Sequence, residues 1–129
     1  MLKASLLVFL GSGAGGVLRM LLAGVVNLKL QKSMAFPIGI FTVNLLGCLL
    51  MGIGYAYFKQ RIALSEMQIL LLQGVLGGFT TFSAFGIETF SFLQQGLIYQ
   101  AVLYISLTVV GGLLTLSLAH LLTTGFLSK

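Results

Sequence analysis

The sequence predicts an all-α membrane protein of four spanning helices, the third of them broken near its middle. Three observations carry that expectation. The chain is 58% hydrophobic and only 7% charged, with a mean hydropathy of +1.11 and one proline, a composition that leaves no material for a soluble domain. Its few charges fall between long apolar runs, where loops belong. And residues 74–85, Gly-Val-Leu-Gly-Gly-Phe-Thr-Thr-Phe-Ser-Ala-Phe, bring three glycines, three hydroxyls and three phenylalanines into the middle of an otherwise apolar run. At about 20 residues per crossing, 129 residues accommodate four helices in one domain, 1–129.

The first span is expected over residues 5–28. Its start, a lysine and then an apolar run followed by small residues, has the outline of a cleavable signal peptide. The apolar character continues past the glycines to Leu28, however, which is the length of a full crossing rather than of a signal core. Lys29 and Lys32 then mark a loop, and the second span follows over 36–58. It contains Asn44 and the chain's one cysteine, Cys48, so no disulfide within the chain and no cysteine-based metal spacing exists. On its own Cys48 reads as a small apolar packing residue.

Lys59, Arg61 and Glu66 mark the next loop, and the third span is expected over 67–93. Glycine and hydroxyl residues at its centre weaken a continuous helix. Non-helical backbone at membrane depth is tolerated only where protein buries it or where it lines a polar pathway, because hydrocarbon offers the freed N–H and C=O groups no partner. The uncharged stretch Gln94-Gln95-Gly96 separates it from a fourth span over 97–123. There Tyr104, Thr108 and Thr115 share one helical face and draw a polar stripe through an apolar helix. His120, near the end of that helix, reads as interfacial.

With an even number of spans both termini lie on one side, together with Lys3, Lys59, Arg61 and Lys129, against Lys29 and Lys32 on the other; Arg19 snorkels to whichever surface its side chain reaches. So small an asymmetry permits insertion in either sense and hence an antiparallel homodimer. Small-xxx-small pairs, Gly11-xxx-Gly15 and Gly74-xxx-Gly78, offer faces for close helix packing and association. The net charge of +5 is scattered over loops, with no polybasic run, so membrane lipid and not nucleic acid is the expected surface contact.

The chemistry available is that of donors rather than acids. One His and two acidic residues supply no catalytic constellation, and the Gly11–Gly16 run lacks the Lys-Ser/Thr of a phosphate loop, so an enzyme is not expected. A cation path would show rings of carboxylates, and only Glu88 lies within a span, where it either tunes a pore mouth or faces solvent at a helix end. Asn44, Thr80, Thr81, Ser83, Tyr104 and Thr108, with Arg19 as a fixed positive charge, suit an anion instead. Phe79, Phe82 and Phe85 recur every third residue; aromatic rings are positive at the edge, so ring edges can face an anion in a narrow passage or simply pack.

Three blocks in order resemble the Fluc-type fluoride channel family of small four-span microbial membrane proteins: Gly11-Ser-Gly-Ala-Gly-Gly-Val-Leu-Arg19, Asn44-Leu-Leu-Gly47, and Gly74 to Phe85, where Gly-Gly-x-Thr-Thr-Phe-Ser-x-Phe fixes seven of nine positions. The resemblance spans essentially the whole chain. It implies a dual-topology antiparallel homodimer in the bacterial inner membrane, with two pores and a structural sodium ion at the dimer centre held by the backbone carbonyls of Gly77 and Thr80. It further assigns Phe82, Phe85 and Asn44 to the fluoride pore, Tyr104 and Thr108 to a polar track beside it, and Thr81 and Ser83 less directly. Passive efflux of fluoride that entered as HF is the implied role. One turn beyond Thr108 the resemblance leads to the expectation of a further hydroxyl, yet position 112 is Gly; either the track is shorter or Thr115 serves. The competing class, a proton-coupled small multidrug transporter, needs a carboxylate in the first span, where this chain has Arg19.

Overall fold

The computed structural model describes residues 1–30, 36–59 and 65–128. Helix α1 (Leu2–Leu30) is followed by α2 (Ile38–Lys59), then by α3 (Glu66–Gln68), a π-helical segment (Ile69–Leu76) and α4 (Gly77–Phe79), and finally by α5 (Phe82–Gln94) and α6 (Ile98–Leu127). The third span thus comprises everything from Glu66 to Gln94, and four helical stretches are long and apolar enough to cross a membrane. They match the four expected spans and overrun most of their ends: α6, at 30 residues, is roughly 45 Å long at about 1.5 Å per residue, more than the hydrocarbon layer requires. Lys32, Arg61 and Lys129, three of the loop and terminal charges that suggested the topology, lie outside the described residues.

Local signals account for the boundaries. Phe41 N–H reaches back to Pro37 C=O (3.3 Å) at the start of α2. Ser65 caps the third span by accepting from Gln68 N–H at 3.2 Å. Between α5 and α6 the chain reverses at Gly96, whose φ of +72° only glycine adopts without cost. Gly96 N–H donates to Leu93 C=O (3.0 Å) and Leu97 N–H to Phe92 C=O (2.9 Å), the paired bonds of a glycine-terminated helix. The glutamine-glycine stretch is therefore the third loop.

Packing is layered by glycine. The α2–α6 pair and the pairing of α1 with the π segment are the most extensive contacts. A Cβ on Gly11 would lie 2.8 Å from Gly74 Cα, and one on Gly78 would lie 2.6 Å from Ser12 Cα, so α1 and the third span touch backbone to backbone. Ser12 Oγ adds a bond to Gly74 C=O at 3.4 Å. The Gly11-xxx-Gly15 and Gly74-xxx-Gly78 faces are thus spent on each other within one chain and say nothing for association between chains. Asn27 Oδ1 accepts from Gly39 N–H (3.0 Å), tying α1 to α2.

The buried apolar residues form small clusters instead of one core: Phe85, Phe92, Ala101 and Tyr104; Ala23, Val43 and Phe79; and Phe58, Leu72 and Leu76. Leucines and valines cover the outer faces of α1 and α6 and are largely exposed on the isolated chain, as lipid-facing residues are. An exposed ion pair, Lys3 Nζ to Glu66 at 2.5 Å, joins the start of α1 to the start of the third span; such pairs contribute about 0–1 kcal/mol.

Candidate functional site at the interruption of the third span

At Thr80 and Thr81 the backbone is extended (φ −76°, ψ 154° and φ −149°, ψ 117°), with helix on both sides. The polar groups of Thr80 and Thr81 themselves have traceable partners. Thr80 N–H still reaches Leu76 C=O at 3.1 Å, and its hydroxyl bonds to the same carbonyl at 3.1 Å, the local back-bond common for Thr in helices. Thr81 N–H, which in a continuous helix would bond to Gly77 C=O, is instead taken by Asn44 Oδ1 at 2.9 Å, while Asn44 Nδ2 donates to Thr81 C=O at 3.2 Å. The Gly77 carbonyl has therefore lost its helical donor, and Gly77 lies on the exposed side of the chain.

The second half-helix starts from this point. Thr81 is its N-cap: the hydroxyl accepts from Ala84 N–H (3.2 Å) and shares a bond with Ser83 Oγ (3.2 Å). The Thr81 and Ser83 hydroxyls, expected near a pore, are thus engaged in capping α5. Arg19 departs from expectation. Rather than snorkelling to a surface, it turns inward and donates to Thr80 C=O at 3.3 Å, because a main-chain carbonyl at an interrupted helix is an acceptor it can reach without leaving the protein.

The aromatic residues divide between two environments. Phe79 is buried with Ala23 and Val43 in the packing layer, whereas Phe82 is 82% exposed and Phe85 is 7% exposed. The three-residue recurrence therefore does not put all three rings on one face. Phe82 and Phe85 have centroids 5.6 Å apart, and Phe85 lies 5.2 Å from Tyr104. Tyr104 is wholly buried and packs edge-on against Phe36 at 5.2 Å. Its hydroxyl donates to Glu88 at 2.5 Å. Glu88 is half-buried and turned toward α6, so it is not a solvent-facing residue at a helix end.

An open groove of about 390 Å³ runs between α2, α5 and α6, lined by Asn44, Thr80, Thr81, Phe82, Phe85 and Thr108 among others. It brings together most of the residues that the sequence singled out. Tyr104 and Glu88 adjoin it through Phe85, whereas Ser83 is not among its lining residues and Arg19 approaches from the α1 side. Thr108 Oγ1 is shut off from solvent and has no hydrogen-bond partner among the described residues. Thr115 does not line the groove. Cys48 lines the groove and Phe36 packs against Tyr104, and neither was expected to contribute. Phe36, just ahead of Pro37, carries no periodic signal, and Cys48 reads from the sequence as a small apolar packing residue.

If a sodium ion were bound at the interruption, the carbonyl oxygens of Gly77 and Thr80 are the groups that would serve as its ligands. Main-chain carbonyls are neutral, hard ligands, and the Gly77 carbonyl, relieved of its helical donor, together with that of Thr80 would hold such an ion and neutralise their dipoles locally. The Thr80 carbonyl would share its second lone pair with Arg19.

Comparison with known proteins agrees with these features. A family described as "CrcB-like protein, Camphor Resistance (CrcB)" matches residues 6–127. A protein of Methylobacillus flagellatus named "Fluoride-specific ion channel FluC" is 44% identical over 110 residues, 84% of each chain. Proteins of the same name are 41% identical in Phocaeicola vulgatus, over 88% of this chain and 92% of that one, and 38% identical in Azobacteroides pseudotrichonymphae, over 98% and 100%. With four membrane-crossing helices and a match over nearly its whole length, the chain is a multi-pass membrane protein and belongs to the CrcB family.

Proposed function

We propose that the chain forms a fluoride-selective channel that lets cytoplasmic fluoride leave the cell by passive electrodiffusion. Relatives named as fluoride-specific ion channels, and not as enzymes, support this reading. So does the groove, whose donors and ring edges suit a small anion. Fluoride holds its water strongly, and a passage must replace that shell with closely spaced donors; Asn44, the Phe82 and Phe85 edges and Thr108 are the residues assigned to do so, with Tyr104, whose proton goes to Glu88, in the polar track beside them. Arg19 biases the low-dielectric region against cations. A proton-coupled drug transporter is not favoured, because α1 carries Arg19 where such a protein needs a carboxylate.

The functional unit in this reading is an antiparallel homodimer with two pores and a structural sodium ion at its centre, held by Gly77 and Thr80 carbonyls. The observation that carries it is the Gly77 carbonyl, deprived of its helical donor by Asn44 and lying at an exposed position in the middle of a span. Lipid satisfies no such group. A second, inverted copy covering the interruption supplies a protein surface and, with the ion, the missing partner. Phe82, largely uncovered on one chain, gains a neighbour by the same association.

The test is efflux from liposomes containing the purified protein, with fluoride measured by electrode and chloride as control. Rapid fluoride efflux with no chloride efflux is expected. Equal rates for the two halides, or transport of a cationic drug driven by a proton gradient, would overturn the assignment.

A further inference from the structure

Tyr104, Thr108 and Gly112 follow at intervals of four along α6 and therefore stack on one face. Thr108 and Gly112 both line the groove, but at the level of Gly112 the helix offers no side chain. The facing helix fills the place. A Cβ built on Gly112 would lie 3.2 Å from Cys48 Sγ, and Cys48, one turn beyond Asn44 on α2, lines the same groove. A second observation points to an occupant of this part of the groove. The Thr108 Oγ1 atom is shut off from solvent and has no partner among the described residues, and a buried hydroxyl left unsatisfied costs about 1–3 kcal/mol.

We propose that the Cys48 thiol is the next contact of the ion path beyond Thr108, taking over from α2 the position at which α6 has only Gly112. The proposal rests on the fluoride-channel reading above. A thiol is a weak donor on a large, polarizable atom, so this step of the path holds a desolvated fluoride less firmly than a hydroxyl would. Thiol chemistry at this one position then controls flux. Serine at 48 supplies a stronger donor in nearly the same volume, alanine supplies none, and any group added to the sulfur projects into the groove.

Fluoride efflux is compared for the wild type, Cys48→Ser, Cys48→Ala and the double variant Cys48→Ala/Gly112→Ser, in which removal of the sulfur makes room for a hydroxyl on α6. Cys48→Ala is expected to slow efflux about fivefold to tenfold, the effect of one modest hydrogen bond; Cys48→Ser and the double variant are expected to conduct at least as well as the wild type. Independently, wild-type liposomes are treated with methyl methanethiosulfonate, which forms a methyl disulfide on Cys48 and releases methanesulfinic acid. Efflux should fall and should return on reduction with dithiothreitol, and Cys48→Ser should be indifferent to both reagents. The proposal is overturned if Cys48→Ala conducts like the wild type, if modified wild-type protein keeps its full rate, or if mass spectrometry shows that the thiol does not react in the conducting protein. Wild-type liposomes that conduct no fluoride would instead remove the channel reading itself.

Discussion

Asn44 holds Thr81 by both ends of its peptide backbone, accepting from the N–H at 2.9 Å and donating to the C=O at 3.2 Å. One side chain on α2 thereby takes the N–H that a continuous helix would give to Gly77, adds a second bond at the Thr81 carbonyl, and holds Thr81 extended. The same exchange of partners takes from the Gly77 carbonyl the N–H that a continuous helix would give it.

Asn44→Ala should accordingly leave the buried Thr81 N–H unpaired, at about 1–3 kcal/mol. Asn44→Asp keeps the acceptor but sets a carboxylate oxygen against the Thr81 carbonyl, adding about 2.5–3.5 kcal/mol for a charge at membrane depth. Both variants should lose most fluoride efflux, and in detergent Asn44→Asp should melt no higher than Asn44→Ala. A normal melting temperature for both would mean that the interruption holds without Asn44.

Glycine positions provide a paired test of the packing. At Gly78 an added Cβ meets the Ser12 backbone, 2.6 Å from its Cα, whereas at Gly86 it meets nothing within 4 Å. Gly78→Ala is expected to destabilise by about 1–3 kcal/mol through overpacking. Gly86→Ala is expected to be neutral or to stabilise by up to about 1 kcal/mol through helix propensity. Thermal melting of the purified proteins distinguishes them, and equal melting temperatures would place α1 elsewhere.

Tyr104→Phe removes the hydroxyl that Glu88 accepts at 2.5 Å and leaves the ring contacts with Phe85 and Phe36 in place. Fluoride efflux should fall at least about tenfold, the scale of a hydrogen bond to a charged group, while the protein still elutes as a single species on size exclusion. Aggregation with unchanged flux per folded protein would identify the bond as structural only.

Thr80 separates side chain from main chain. Its hydroxyl merely bonds back to Leu76, as does its N–H. Thr80→Val should therefore stay within about twofold of wild-type efflux, since an exposed or locally satisfied hydroxyl contributes little. Thr80→Pro deletes the N–H bond and restricts Phe79 away from helical geometry, and should abolish efflux or assembly. The reverse order would argue against the Thr80 carbonyl as a ligand.

Much of the architecture was legible because bilayer thickness sets the length of an apolar run and charges cannot enter it cheaply. The four spans, the Gly96 turn and the polar character of residues 80–83 all follow from residue type and local spacing. Partner choice was not legible. Nothing in the sequence told that Gly11 and Gly74 meet each other, that Arg19 turns inward, or that Phe79 packs while Phe82 faces out. Asn27 and Ser12, polar residues in apolar runs, could have been recognised as helix-tying groups by the same argument that singled out Asn44.

The sequence by itself determined that this protein lies in a membrane as four helices with a polar, glycine-rich centre in the third, because desolvation and backbone propensity act on each residue where it stands. Only the tertiary structure decided which partners the polar groups take: Asn44 for Thr81, Arg19 for Thr80, Tyr104 for Glu88, and Cys48 opposite Gly112. Those pairings depend on the rotation and depth of one helix against another, and close approach of backbones sets that placement: at Gly11, Gly74 and Gly78 between α1 and the third span, at Gly39 against Ala23 between α1 and α2, and at Gly52 against Leu116 between α2 and α6.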